Sequence, residues 1–568
     1  MFDTLPKTYD EAKTWDWPKF EPFFADLEAR DLTPETVDQW LRDMTAATTV
    51  IGEIMARVRV ATTQNTQDAE AEAKLKSLTK DLMQPMQVVV TRLNRKLLDS
   101  GITPDNYEMP LKRARAAVEV FREENLPLQI EDQQVGLEYG KITGAQTVEW
   151  DGAEVTLIEL MKSFKNPDRA VRKAAFDLFA DRWVQDRQAI NAIWSKAFDI
   201  RKQMAKNAGF DTYRDLIWKQ RGRFDYTPED NATFHRAIEE VVVPAAIRAR
   251  DRRRQRLGLD TMKPYDVDVD ASGKPPLTPW VSIDGFAETS GNVFDAVDPQ
   301  LGAQYRDMLA AGLTDLPNRK HKGPGAYCTT YPLTAKPFVF MNAVNSDGDV
   351  RTLIHEVGHA FHSYATRALP YEAQRAYPIE FAEVASFGME MLSSPYLTTA
   401  NGGYFTESEA ARFRIDHLES IIEFWPYMAM VDAFQLWAYD PANDGGSPDA
   451  CDAAWLDLKA RFEPDIDYTG YDAYKATGWH RKQHIFRYPF YYIEYGLARL
   501  GAVQLYANAQ KDQAAAVAAY RRALGMGGTG NLPQLFGAAG LRFAFDSDML
   551  RGLIDVLEGT IGELETAL

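Results

Sequence analysis

The sequence predicts a mainly α protein with small β elements, and three observations carry that reading. Residues 34–126 repeat apolar positions at spacings of three and four with few β-branched clusters, the pattern of helical hairpins. Only two short stretches read as strands, near 146–157 and over 327–344. From Asp349 to the C-terminus the pattern is helical again.

The elements follow in order. "QTVEWDGAEVTL", residues 146–157, alternates around Asp151-Gly152, a two-residue hairpin signal. "YTPED" offers Thr227 as N-cap, Pro228 at the first helical position and Asp230 three after the cap. Residues 261–280, rich in Pro and Asp, predict an irregular connection. In "YCTTYPLTAKPFVFMNAV", Pro332 and Pro337 predict an edge strand or hairpin. Asp349 is the expected N-cap of the following helix, which meets no proline before Pro370. "GMGGTG", Gly525–Gly530, matches a dinucleotide-binding pattern in letters only. It follows an Ala-rich helical run instead of a strand, and reads as a helix end and loop. The division expected is a helical N-terminal domain over 1–195, carrying the hairpin near 146–157, and a catalytic domain over 196–568.

Composition narrows the function. A formal charge of −18 excludes a general nucleic-acid binder, which needs a positive field. The basic run Ile247–Arg256 spreads its arginines around a helix and is expected to be a solvated surface. Two cysteines, Cys328 and Cys451, lie far apart, so neither a disulfide framework nor a thiolate cluster is expected. The start "MFDTLPKTYDEAKTWDW" has no apolar core of a signal peptide, and 421–439 is interrupted by Glu423, Pro426 and Asp432. The expectation is a cytoplasmic protein with no membrane contact.

"TLIHEVGHAFHSY", residues 352–364, holds the chemistry. On a helix His355 and His359 sit one turn apart and can converge on one ion, with Glu356 about 100° round and angled towards a water. Leu353, Val357, Ala360, Phe361 and Tyr364 form the apolar stripe, and His355, His359 and His362 a second stripe about 200° away that predicts a cleft. His362 is about 10.5 Å along the axis from His355, too far to join the other two as a ligand, and is expected to support the site or touch substrate. A catalytic zinc site needs a third protein ligand, and Glu380, Glu383 and Glu390 share one face of the next helix. One could ligate while another holds a ligand histidine's free N–H. Further on, His484, Tyr488, Tyr491 and Tyr495 follow one helical face, interrupted by Pro489. A polar aromatic cluster of this kind suits oxyanion and backbone hydrogen bonding.

Five blocks in order over about 205–505 resemble the thimet-type oligopeptidase and oligoendopeptidase F family of zinc metallopeptidases. They are "GFDTYRDLIWKQRGRFDYTPED", "YCTTYPLTAKPFVFMN", "DVRTLIHEVGHAFHSY", "EFAEVASFGMEML" and "HIFRYPFYYIEYGLARLGA". The resemblance implies a helical ellipsoid with a deep channel, one Zn2+ bound by His355, His359 and Glu383, and Glu356 as general base and acid. It also implies a supporting role for Glu390 and catalytic roles for His484 and Tyr495, with Tyr488 or Tyr491 as the transition-state tyrosine. Substrates would be short unstructured peptides cut internally. Pro337–Asn342, with Phe338 and Phe340, is the expected edge strand against which a peptide pairs. The alternatives are a zinc carboxypeptidase of similar fold and a catalytically idle peptide-binding zinc protein.

Overall fold

A computed structural model describes residues 1–270 and 272–568. Its helices leave room for two small sheets, which take in both places the sequence marks and one further short strand. An N-terminal core gathers Phe20, Phe24, Leu27, Trp40, Ile51, Ile54 and Leu93, around α1 (Val37–Gln64), and reaches across to Tyr371. The Trp40 indole is satisfied there by the Leu27 carbonyl at 2.9 Å. A second, larger core includes Val135, Trp194, Phe294, Leu353, Val384, Trp425 and Leu497. The boundary drawn at 195/196 falls inside the helix Arg187–Ala208, which buries Ile193, Trp194, Ala197 and Ile200 in that core.

β1 (Thr147–Trp150) and β2 (Ala153–Thr156) form the hairpin, with Asp151 and Gly152 both at positive φ as its two-residue turn requires. The Thr227–Asp230 capping box closes reciprocally as the sequence foretells. The helix before "GMGGTG" ends at Gly525, and the loop follows. The connection 261–280 is irregular except for a short turn at Pro264–Asp266; residue 271 lies outside the described residues.

The second sheet differs from expectation. β3 (Thr314–Pro317), β4 (Tyr327–Tyr331) and β5 (Lys336–Ala343) run in the order β3-β5-β4, with β3 parallel and β4 antiparallel to β5. The sheet is therefore mixed, and the Pro337–Asn342 stretch is its centre. The proline rule holds at the residue and not the strand: β3 pairs only from Val339 onward, so Pro337 has one neighbour, Thr330, and no ladder donor is missed.

α2 (Asp347–Thr366) carries the His-Glu motif. Its N-cap is Ser346, not Asp349. Asp349 occupies the third helical position, where its carboxylate accepts from the backbone N–H groups of Ser346 and Val344. α3 (Ile379–Ser393) carries the glutamates, and α4 (Glu407–Ala438) absorbs the apolar 421–439 stretch as a buried helix. α5 (Tyr492–Lys511) starts just after the Pro489 break. Among the described residues no helix is long and apolar enough to cross a membrane. The basic run is only in part a solvated face: Arg248 and Arg256 are exposed beside Glu558 and Glu565, whereas Arg250 is buried against Asp465 at 2.7 Å and Arg252 and Arg253 face Glu419. In a chain with an excess of acid, carboxylates from distant segments reach those arginines.

Candidate active site

Close helix approach builds the site. A Cβ on Gly358, between the two motif histidines, would stand 2.7 Å from Ser386 Cα and 2.9 Å from the Ala385 carbonyl. Only glycine lets α2 lie against α3 at that crossing. Behind it, a Cβ on Gly501 of α5 would meet Val384 of α3 at 2.8 Å. α2 and α3 are thus held at backbone distance with α5 packed closely on α3, and their polar faces meet on one side.

There His355 Nε2 and His359 Nε2 stand 3.5 and 3.8 Å from Glu383 Oε2, and the three ligand atoms all lie within 4.8 Å of one another. These separations are too long for hydrogen bonds, for which N–H···O runs about 2.7–3.2 Å. They match two atoms sharing an ion at about 2.0–2.2 Å in tetrahedral geometry. Two imidazoles and one carboxylate are the donor set of a catalytic zinc. The residues present therefore fit the ion.

The outer partners orient the ligands. Glu390 Oε1 lies 2.7 Å from His355 Nδ1, which leaves His355 Nε2 to face Glu383. Glu390 Oε2 lies 3.0 Å from His417 Nε2 on α4. Burial alone would raise the Glu390 carboxyl, but His355 and His417 outweigh it and hold it well below the carboxylate range. Burial likewise opposes the ionised Glu383, and His355 and His359 bring it down to about 2. Burial pushes His359 down to about 4. For His355 the two carboxylates overcome burial and raise it to about 10. The two carboxylates thus favour positive charge beside His355, which a bound ion would supply with the imidazole neutral.

Glu356 is buried, and burial pushes its carboxyl up to about 7, although His355 pulls the other way. The backbone of Cys328 in β4 lies beside it. A carboxyl balanced near neutral pH can both take and return a proton.

Tyr491 donates its hydroxyl to Glu383 Oε1 at 3.2 Å. Its ring sits 5.1 Å from Tyr495 and 6.0 Å from His484. Burial, with Glu383 adding to it, raises both phenols above their ordinary value, so both remain donors. Burial lowers His484 to about 4. Tyr488 is 46% exposed and its ring lies 6.1 Å from that of His484. Pro489 does break the helix: Gln483–Arg487 ends, Phe490 turns through a φ of +61, and α5 begins. That strained turn is held by buried groups the sequence did not reveal. Arg201 donates to the Ile485 and Phe486 carbonyls, Arg223 to the Phe490 carbonyl, and Gln435 accepts from the Phe490 N–H at 2.7 Å.

Three expectations are corrected. His362 is fully buried with its ring stacked 3.5 Å on Tyr377, and it makes no hydrogen bond to a ligand among the described residues. His362 lies within about 20° of His355 around the helix but about 10.5 Å further along its axis, where Tyr377 packs over it. Phe338 and Phe340 are 5% and 0% exposed on the central strand, so they are core and cannot touch a peptide. β3 and β4 are the edge strands, and residues 327–330 of β4 remain partly exposed. Glu380 turns away and accepts from the Tyr226 hydroxyl at 2.6 Å. His417 was missed because it lies alone on a long helix, 27 residues beyond Glu390, with no spacing to mark it.

A cleft of about 400 Å3 opens over His355 and Glu356, walled by Arg351, Phe387, Phe424 and Arg499. A groove of about 510 Å3 shares Arg351 and Ser420 with it.

The model of peptidase family M3 matches residues 162–554. Oligopeptidase PepF of Bacillus subtilis (strain 168) is 26% identical over 392 residues, 65% of this chain and 54% of that protein. An oligoendopeptidase F homolog of Lactococcus lactis subsp. lactis (strain IL1403) is 22% identical over 431 residues, 71% of this chain and 65% of that protein. The matched part thus spans between about half and two thirds of these relatives. The solved structure of Pz peptidase A with an inhibitor shares the fold, with a TM-score of 0.87 at 24% identity over 100% of this chain and 99% of that one. With the family model covering well over half of its length, and the donor set His355, His359 and Glu383 assembled on two crossing helices, the chain belongs to peptidase family M3.

Proposed function

We propose that this protein is a zinc-dependent oligopeptidase that hydrolyses internal bonds of short, unstructured peptides. The observation that carries the reading is the convergence of the His355, His359 and Glu383 donor atoms within 4.8 Å, with the buried Glu356 carboxyl beside them. Those three residues would hold one ion, which supplies the positive charge that acidifies a water and polarises the scissile carbonyl. Glu356 takes the proton of the attacking water and delivers it to the leaving amine. Tyr491 and Tyr495, kept protonated, donate to the developing oxyanion, and neutral His484 packs against both. A peptide in extended form pairs with the outer edge of β4, which brings its backbone past Glu356.

Internal cleavage is favoured over the carboxypeptidase alternative by the relatives, whose names are oligopeptidase and oligoendopeptidase. Glu356 argues against an idle binding protein, since a structural site has no use for a base. A reducing cytoplasm suits Cys328 and Cys451, both free. The test is Glu356→Gln on a quenched peptide library with zinc quantified in the same preparation. The variant should keep its zinc and lose activity by about 10²–10⁴-fold. Activity within tenfold of the parent would sink the mechanism, and mass spectra showing only single C-terminal residues released would replace the endopeptidase with the carboxypeptidase.

A further inference from the structure

Two arginines in the cleft have no carboxylate partner among the described residues: Arg351 and Arg499 enter no ion pair, although the chain carries 82 acids to 64 bases and pairs most of its inner arginines. Arg499, on α5, is held rigidly. Its guanidinium lies 3.5 Å from the Phe424 ring centroid and 4.1 Å from that of Phe387. That sandwich fixes the plane of the fork, and Nη1 is buried with no hydrogen-bond partner. The nearest acid cannot serve it, because both Glu390 oxygens are already taken by His355 and His417. Burial lowers Arg499 only to about 10, so it stays charged. Arg351 stands one turn before His355 on α2 and lines the same cleft. Arg499 is only partly buried, so part of its fork faces the cleft, and its oriented, unpartnered Nη1 carries a desolvation cost that an anion entering the cleft would offset.

We propose that Arg351 and Arg499 form a carboxylate-binding subsite beside the metal ligands, which seats the free C-terminal carboxylate of a short peptide. The proposal rests on the oligopeptidase reading and adds to it a limit on product length. The subsite lies within the same cleft as His355 and Glu356, and an extended peptide spans about 3.3–3.6 Å per residue. A carboxylate seated there is only a few residues beyond the scissile bond, so the C-terminal fragment released is short. An acidic side chain a few residues from the bond offers the same chemistry.

The experiment compares one quenched peptide as its free acid, as its C-terminal amide, and as an amide ending in Asp or Glu, using the zinc-loaded full chain. The free acid should be preferred over the plain amide by roughly ten- to a hundredfold in kcat/KM, with the change in KM. Arg351→Gln and Arg499→Gln should each bring that ratio towards one, and Arg499→Lys, which keeps charge without the fork, should fall between. Recovery by the acidic amide alone would assign the subsite to side chains and retain the carboxylate chemistry. Equal cleavage of acid, amide and acidic amide by the parent, or an unchanged ratio in both Gln variants, overturns the proposal. In that case the oligopeptidase reading stands, because peptides are cleaved; no cleavage of any peptide would remove both.

Discussion

Gly358→Ala tests whether helix approach builds the metal site. The new Cβ would lie 2.7 Å from Ser386 Cα and 2.9 Å from the Ala385 carbonyl, both backbone, so no side chain can swing aside. Ordinary carbon contacts are about 3.5–4.0 Å, so α2 and α3 must separate by about 1 Å. Overpacking of this kind costs about 1–3 kcal/mol, offset by about 1 kcal/mol from replacing glycine within a helix. The larger effect falls on the ligands. His355 and His359 already stand 3.5 and 3.8 Å from Glu383, and two donors at about 2.1 Å from one ion cannot lie more than about 4.2 Å apart. A further ~1 Å takes Glu383 out of range and should weaken zinc binding by at least about a hundredfold. Competition against a calibrated chelator reads the affinity, and urea unfolding reads the stability. Gly552→Ala and Gly559→Ala are the controls, since their Cβ atoms would meet nothing within 4 Å. Parent-like zinc affinity in Gly358→Ala would refute the argument.

Other perturbations separate the remaining roles. Glu390→Gln should lower zinc affinity by about 10–100-fold by removing the charge behind His355, read by the same competition; unchanged affinity would make Glu390 a packing residue. Tyr491→Phe should lower kcat by about 10²–10³-fold with zinc retained, and an undiminished kcat would move the oxyanion role to Tyr495 or His484. Burial would raise Asp315, but hydrogen bonds from Arg319, Lys322 and Gln64 bring it down to about 2 from its ordinary 3.8. Its contribution to stability is therefore present above 3.8 and lost as pH falls through about 2. Asp315→Asn should flatten that part of the acid-unfolding curve, and an identical acid limb would remove the assignment.

How much of this was legible depends on how far apart the partners are in sequence. The His355–Glu356–His359 group was readable because a helix brings i and i+4 together without help from the rest of the chain. The hairpin at Asp151-Gly152 and the Thr227 cap were readable for the same reason, since their geometry is set within four residues. Glu383 could be listed with Glu380 and Glu390 by their shared face, but choosing among them took a family resemblance or the α2–α3 crossing. The central place of strand 336–343 is not legible because Pro337 constrains one residue and not the whole strand, while the short β3 that covers its other edge carries almost no pattern. The buried part of the basic run is not legible because its acidic partners lie as far away as Glu419 and Asp465.

The sequence by itself therefore determined the helical class, the motif helix and the place of Glu356 between its two histidines, all products of local periodicity and side-chain type. Tertiary structure alone decided that Glu390 reaches both His355 and His417, that His362 turns into the core, and that Arg499 stacks between Phe387 and Phe424 without a partner. Each of these depends on which faces of separate helices meet. That is set by close packing over many residues, down to the missing side chain of Gly358, and no local window of sequence contains it.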